Sequence, residues 1–339
     1  MPPEYNVTGL DYSQRAHLRY EGPILDIHAH VMLTRPGDPT NGLSLDEGPG
    51  ASADQAALML DIGRTFQVES TVSMCLPDDI PVLRERLGDR ILFNGMIQKK
   101  KRDDPDDDAY RLLDRFLELG AVMIKFWSAP RGRERGLLVD APWRIEAAKR
   151  AQAAGVRLVM VHVGDPDTWF RTIYADASKF GTKPEQYVGL RRMIEMFPDL
   201  IWIGAHMGGD VEHPDHLEEL LERYPNLYLD TSATKWQVRE VPPRREAVKR
   251  LMERYPDRFL FGTDLVTRNA LDPEHYVSRY WCQRTLWESE WRGPSPIADP
   301  DFEQGTVQPT LHGVGLTGEV LEKVYWSNAA RLLGAALKS

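Results

Sequence analysis

The pattern that most restricts this chain is an alternation of short β-branched or apolar runs with stretches of helical period. The runs predict strands over residues 24–28, 69–74, 91–97, 122–126, 157–163, 200–205, 227–230 and 258–262. The 3.6-residue period predicts helices over 52–66, 80–87, 107–119, 142–154, 184–197, 215–224, 244–255 and 317–333. Several boundaries carry their own chemistry. Gly155 follows Ala153-Ala154 as a helix-ending glycine should, and Pro142 and Pro184 suit a first helical turn, where the missing N–H is no loss. Phe197-Pro198, Tyr224-Pro225 and Tyr255-Pro256 each stop a helix ahead of a strand. Eight strands alternating with eight helices is the count of a (β/α)8 TIM barrel, an α/β fold. A doubly wound open sheet would carry a glycine-rich phosphate turn after its first strand, and this chain has His28-Ala29-His30 there.

The reading is of one barrel domain over residues 1–339, with an N-terminal arm over 1–22 and a long insertion over 265–316 after the eighth strand. Loops that follow strands are long, such as 31–51 and 164–183, and the returning loops are short. That asymmetry places function at the strand C-termini. The net charge of -9 argues against a nucleic-acid or anionic-membrane binder. No apolar run approaches the ~18 residues that would span a bilayer. The polar N-terminus lacks the apolar core of a signal peptide, and two cysteines cannot form a disulfide framework, so a cytoplasmic setting is expected.

Chemistry concentrates at the predicted strand ends. His28 and His30, at i and i+2, project from one face of an extended segment, within reach of one ion. Two solvent-facing histidines would show the same spacing. His162 and His206 also end strands, and Asp264 ends the eighth in Phe261-Gly262-Thr263-Asp264. Imidazoles with a carboxylate form a donor set for a borderline divalent ion, zinc first and manganese as the alternative.

These phrases resemble the amidohydrolase superfamily, specifically its amidohydrolase-2 group of metal-dependent TIM-barrel hydrolases and decarboxylases. The matching phrases are Leu25-Asp26-Ile27-His28-Ala29-His30, Gly120-Ala121-Val122-Met123-Ile124-Lys125, Val161-His162, Ala205-His206-Met207-Gly208-Gly209, Phe261-Gly262-Thr263-Asp264 and Ser327-Asn328-Ala329-Ala330-Arg331-Leu332. The resemblance implies one divalent ion on His28, His30, His162 and Asp264, with His206 as acid or base beside it and Asp264 as a second proton-handling group. It also implies a homodimer. A carboxylated Lys125 bridging two metals is the alternative seen in other superfamily members; a hydrogen-bonded ammonium in the barrel mouth is the plainer one. Asp26 shares a strand face with His28 and is expected to contact the metal, to orient a ligand, or to be simply an inward polar residue deep in the barrel.

Loop position alone nominates Trp127, Trp169, Tyr174 and Trp236 as walls of an apolar or aromatic pocket, and Arg131, Arg171, Lys235, Arg239 and Arg268 as holders of a substrate carboxylate. Surface or loop-packing roles fit each of these residues equally. The functional expectation is hydrolysis, through an activated water, of an ester, lactone or amide of a small carboxylated or aromatic molecule. Non-oxidative decarboxylation of an aromatic or unsaturated acid is the alternative. A catalytically silent metal-binding barrel is a third, which the joint presence of His206 and Asp264 opposes.

Overall fold

Ile24 to Ala29 are buried without a break, as a strand covered on both faces requires, and they form most of β1 (Ile24–His30). The strand carries on through both histidines, two residues beyond the expected end. In chain order follow α1 (Ala53–Arg64), β2 (Val68–Cys75), α2 (Asp79–Leu87), β3 (Ile91–Met96), α3 (Ala109–Glu118), β4 (Met123–Ser128), α4 (Pro142–Ala153) and β5 (Leu158–Val163). Next come α5 (Asp167–Arg171), α6 (Ala177–Phe180), α7 (Lys183–Met196), β6 (Ile201–Gly204), α8 (Pro214–Arg223), β7 (Leu227–Asp230), α9 (Thr234–Glu240) and α10 (Arg245–Arg254). The chain closes with β8 (Phe259–Leu260), β9 (Leu265–Val266), α11 (Pro273–Glu288), β10 (Arg292–Pro294), β11 (Thr310–His312), α12 (Gly318–Glu322) and α13 (Asn328–Leu333). This computed structural model describes residues 4–33, 51–97, 109–267, 273–302 and 308–337.

The described residues form two compact units, Met1–Leu92 with Thr231–Ser339, and Phe93–Asp230. In the first, β1 runs parallel to β2, with Ile24 beside Val68 and His30 beside Met74, and parallel to β9, with Ala29 beside Leu265. The Ile27 N–H donates to the Phe261 carbonyl at 3.0 Å, so the segment after β8 is tied to β1 as well. The Ser52 hydroxyl accepts from the Gln55 N–H and caps α1.

The expected insertion after the eighth strand is not loop alone. It holds α11 and, beyond it, the antiparallel pair β10–β11. Tyr276, Tyr280, Trp281, Cys282, Leu286 and Trp287 are all buried on α11. A helix buried on every side shows no amphipathic period, and that is why periodicity did not reveal it. The N-terminal arm lies on this helix. The backbone N–H groups of Arg19 and Tyr20 donate to Glu288 Oε2 at 2.8 and 3.0 Å, and the Trp281 indole donates to the Gln14 carbonyl. The last helix, expected unbroken over 317–333, is interrupted by a π-turn at Lys323–Ser327 between α12 and α13.

In the second unit five strands pair in parallel in chain order, β3 to β7. Their register sets Trp127 beside His162 and Lys125 beside Met160. Gly95 lets α3 lie close over β3, because a Cβ there would come within 2.8 Å of the Phe116 ring.

Candidate metal centre

The first unit brings three of the expected ligands together. Asp264 Oδ1 lies 3.2 Å from His28 Nε2 and 3.0 Å from His30 Nε2. Asp264 sits between β8 and β9 with φ 60, a left-handed conformation unusual for a residue with a side chain. The Asp264 N–H donates to the His28 carbonyl at 2.7 Å, which pins it against β1. Asp26, fully buried, holds the same turn from beneath: Oδ1 accepts the His28 and Thr263 N–H groups at 3.0 and 3.1 Å, and Oδ2 accepts the Thr263 hydroxyl at 2.6 Å. Burial pushes the Asp26 carboxyl up to about 7, against the lowering effect of the Thr263 and His28 hydrogen bonds.

Ser232 Oγ lies 3.0 Å from His28 Nδ1. With the His28 Nδ1–H donated to that hydroxyl, Nε2 presents a lone pair toward a carboxylate oxygen that also offers lone pairs. A cation satisfies both. Two imidazole nitrogens around one partly exposed carboxylate fit a divalent ion by chemistry and by spacing.

The second unit brings two imidazoles together. His162 Nδ1 lies 3.3 Å from His206 Nε2. His206, Met207, Gly208 and Gly209 all have positive φ, from 54 to 70. The turn holds because the His206 N–H donates to Asp230 Oδ1 at 2.8 Å and the Tyr187 hydroxyl donates to the Gly208 carbonyl at 2.9 Å. A Cβ on Gly209 would collide with the Val163 carbonyl, so glycine there lets the turn close against the end of β5. Lys125 is buried in β4, two residues short of the Trp127–His162 register pair.

The nominated substrate residues fall into two groups. Trp127 meets His162 edge to face at 6.2 Å, and the exposed Arg131 places its guanidinium 5.3 Å over the Trp127 ring. Trp169 on α5 packs edge to face on Tyr174, and Tyr174 is itself buried with its hydroxyl donated to Asp165 Oδ2 at 2.7 Å. Arg171 is exposed and bonded to Thr168, Trp236 is half-buried on α9, and Arg268 lies outside the described residues.

A second group of metal-type ligands, Asp167, Asp210 and His213, lies in the second unit. Lys183 Nζ already stands there, 2.7 Å from Asp167 Oδ1, 2.9 Å from Asp210 Oδ1 and 2.9 Å from Glu212 Oε2. Burial works against this ammonium, but the charges of Asp210 and Glu212 outweigh it and raise its pKa. The cluster is an ion network around a lysine, buried at Asp210 and Glu212 and open at Asp167 and His213.

The family model of the amidohydrolases matches residues 26–335. The chain belongs to the amidohydrolase family. Among solved structures, this amidohydrolase resembles a lactonase from Listeria monocytogenes at 14% identity and TM-score 0.54, covering 92% of this chain and 94% of that one. It resembles a dihydroxybenzoic acid decarboxylase from Polaromonas sp. JS666, with bound manganese and an inhibitor, at 15% and 0.53, covering 93% and 97%. A 4-oxalomesaconate hydratase from Rhodopseudomonas palustris follows at 19% and 0.51, covering 93% and 98%. Comparison with curated proteins gives no significant match. At these identities the likeness establishes the fold, the expected (β/α)8 barrel.

Reading the sequence missed Ser232, Asp165 and the anchoring role of Asp230. Ser232 had no local signal, since it meets His28 from 204 positions away. Asp165 had one: it follows a strand-ending histidine by three residues across Gly164.

Proposed function

We propose that this amidohydrolase is a metal-dependent hydrolase acting on an ester, lactone or amide of a small carboxylated or aromatic molecule. The observation that carries the reading is the convergence of His28 and His30 on Asp264, braced by Asp26 and Ser232. His28, His30, His162 and Asp264 would hold one divalent ion, zinc by donor chemistry, with manganese the alternative suggested by the decarboxylase relative. Such an ion supplies Lewis acidity and lowers the pKa of water toward neutrality.

This chain's own groups then divide the proton work. Asp264 is partly open while His206 is buried. Asp264 accepts the proton of the attacking water, and His206 delivers a proton to the departing oxygen or nitrogen. Trp127 and Arg131 offer an aromatic face and a guanidinium beside His162, which suits a planar substrate with a carboxylate.

That same pair favours a second reading, decarboxylation of an aromatic acid, with His206 protonating the carbon that loses carbon dioxide. Lactones and aromatic acids assayed together, with ring opening and carbon dioxide recorded separately, decide between them. Ring opening as the faster reaction supports hydrolysis; carbon dioxide from the best substrate overturns it.

We also propose a cytoplasmic homodimer, as the family resemblance implies. Cys75 and Cys282 are buried thiols, as suits a reducing compartment. Among the described residues no helix is long and apolar enough to cross a membrane.

A further inference from the structure

His162 has both ring nitrogens engaged. Nδ1 faces His206, and Nε2 lies 2.8 Å from Asp165 Oδ1. Asp165 is fully buried, three residues beyond His162, and the intervening Gly164 adopts φ +73, which turns the chain back toward the ring. A Cβ on Gly164 would approach the Tyr187 hydroxyl within 2.5 Å, so this tight return depends on glycine. The other carboxylate oxygen of Asp165 accepts the Tyr174 hydroxyl at 2.7 Å. Phe170 and Phe180 pack around the Tyr174 ring at 5.4 and 5.2 Å, so the tyrosine is fixed in place.

An ionised carboxylate only accepts, so the ring nitrogen that faces it must carry the proton. A neutral His162 is thereby held as the Nε2–H tautomer, with the Nδ1 lone pair aimed toward His206. We propose that Asp165 and Tyr174 are positioning residues: Tyr174 orients Asp165, and Asp165 fixes the tautomer and ring angle of His162 so that Nδ1 is its ligating atom. The proposal rests on the metal reading above and goes beyond it by naming the ligating atom of His162 and the pair that selects it. The physical logic is that of a carboxylate–histidine–metal relay, in which the outer carboxylate makes the imidazole a better and better-aimed donor.

The test uses the full chain labelled with 15N-histidine, stripped of metal and titrated with zinc ion alone. In the metal-free wild type, His162 should show a protonated Nε2 and a bare Nδ1. Asp165→Ala should scramble that tautomer and weaken zinc binding by roughly 10–100-fold, with the melting profile of the metal-free protein showing that it still folds. Tyr174→Phe should move both readouts in the same direction by a smaller factor, and it carries the test should Asp165→Ala fail to fold. Unchanged zinc affinity in a folded Asp165→Ala protein overturns the proposal, as does unchanged affinity in Tyr174→Phe where that variant alone folds. A wild type that binds no zinc defeats the metal reading instead. The tautomer in the metal-free protein then decides this proposal alone: a His162 Nε2–H retained in Asp165→Ala overturns it, and its loss supports it.

Discussion

Asp26 and Thr263 are joined twice, through the Thr263 N–H at 3.1 Å and its hydroxyl at 2.6 Å, across 237 positions of sequence. The pair fixes the backbone immediately before Asp264, and so it sets where the Asp264 carboxylate points. Thr263→Val keeps the shape and removes the hydroxyl, leaving a buried carboxylate oxygen short of a donor. A loss of about 1–3 kcal/mol in unfolding free energy is expected, together with weaker metal binding. Thr263→Ser should restore both. Denaturant titration and metal titration of the two variants check this.

Gly209 is the position where the His206 turn meets β5. Gly209→Ala adds a Cβ against the Val163 carbonyl and 2.7 Å from the Gly164 backbone, at a residue with φ +70. The left-handed conformation alone costs about 1–2 kcal/mol with a side chain present. Displacing His206 should in addition reduce turnover by roughly 10–100-fold, measured at saturating substrate below the melting transition.

Lys183 is the positive centre of a network of three carboxylates, Asp210 and Glu212 buried and Asp167 partly open. Lys183→Met should destabilise the protein by about 3–5 kcal/mol, because it leaves those charges uncompensated. The network also predicts a pH response. Burial opposes ionisation of Asp210, but hydrogen bonds to His216 and His213 and the charge of Lys183 outweigh it, so its pKa is lowered. The stabilisation from that lowered value is complete above the ordinary carboxylate range and is lost as pH falls through the lowered one. Wild-type stability should therefore fall more steeply than that of Asp210→Asn below about pH 4. Melting temperatures of both proteins across the acid range check the sign.

His206→Asn should keep the metal and lose most turnover, by roughly 10²–10⁴-fold, since proton transfer to the leaving group would then lack its donor. Metal content and kcat measured on the same preparation separate these effects. Unimpaired turnover would remove the acid–base role.

The strand–helix alternation was legible because most strands are short apolar runs and most helices are amphipathic. What escaped were elements without that signature. α11 is buried on all sides, and α5 and α6 are too short to show a period. The candidate histidines were legible from strand position and family phrases. Their supports were not. Ser232 and Thr263 act on residues more than two hundred positions away, and nothing in the local pattern links the Tyr174 hydroxyl to Asp165. Local pattern reveals which residues end strands, and only the fold reveals what holds them there.

We propose that His28, His30 and Asp264 anchor a single divalent ion. Elemental analysis with stoichiometry tests it most directly, on the wild type and on His28→Ala/His30→Ala after equilibration with zinc. One ion per chain is expected in the wild type and none in the double variant. Full occupancy without the two histidines, or two ions per chain as a carboxylated Lys125 would allow, would contradict it.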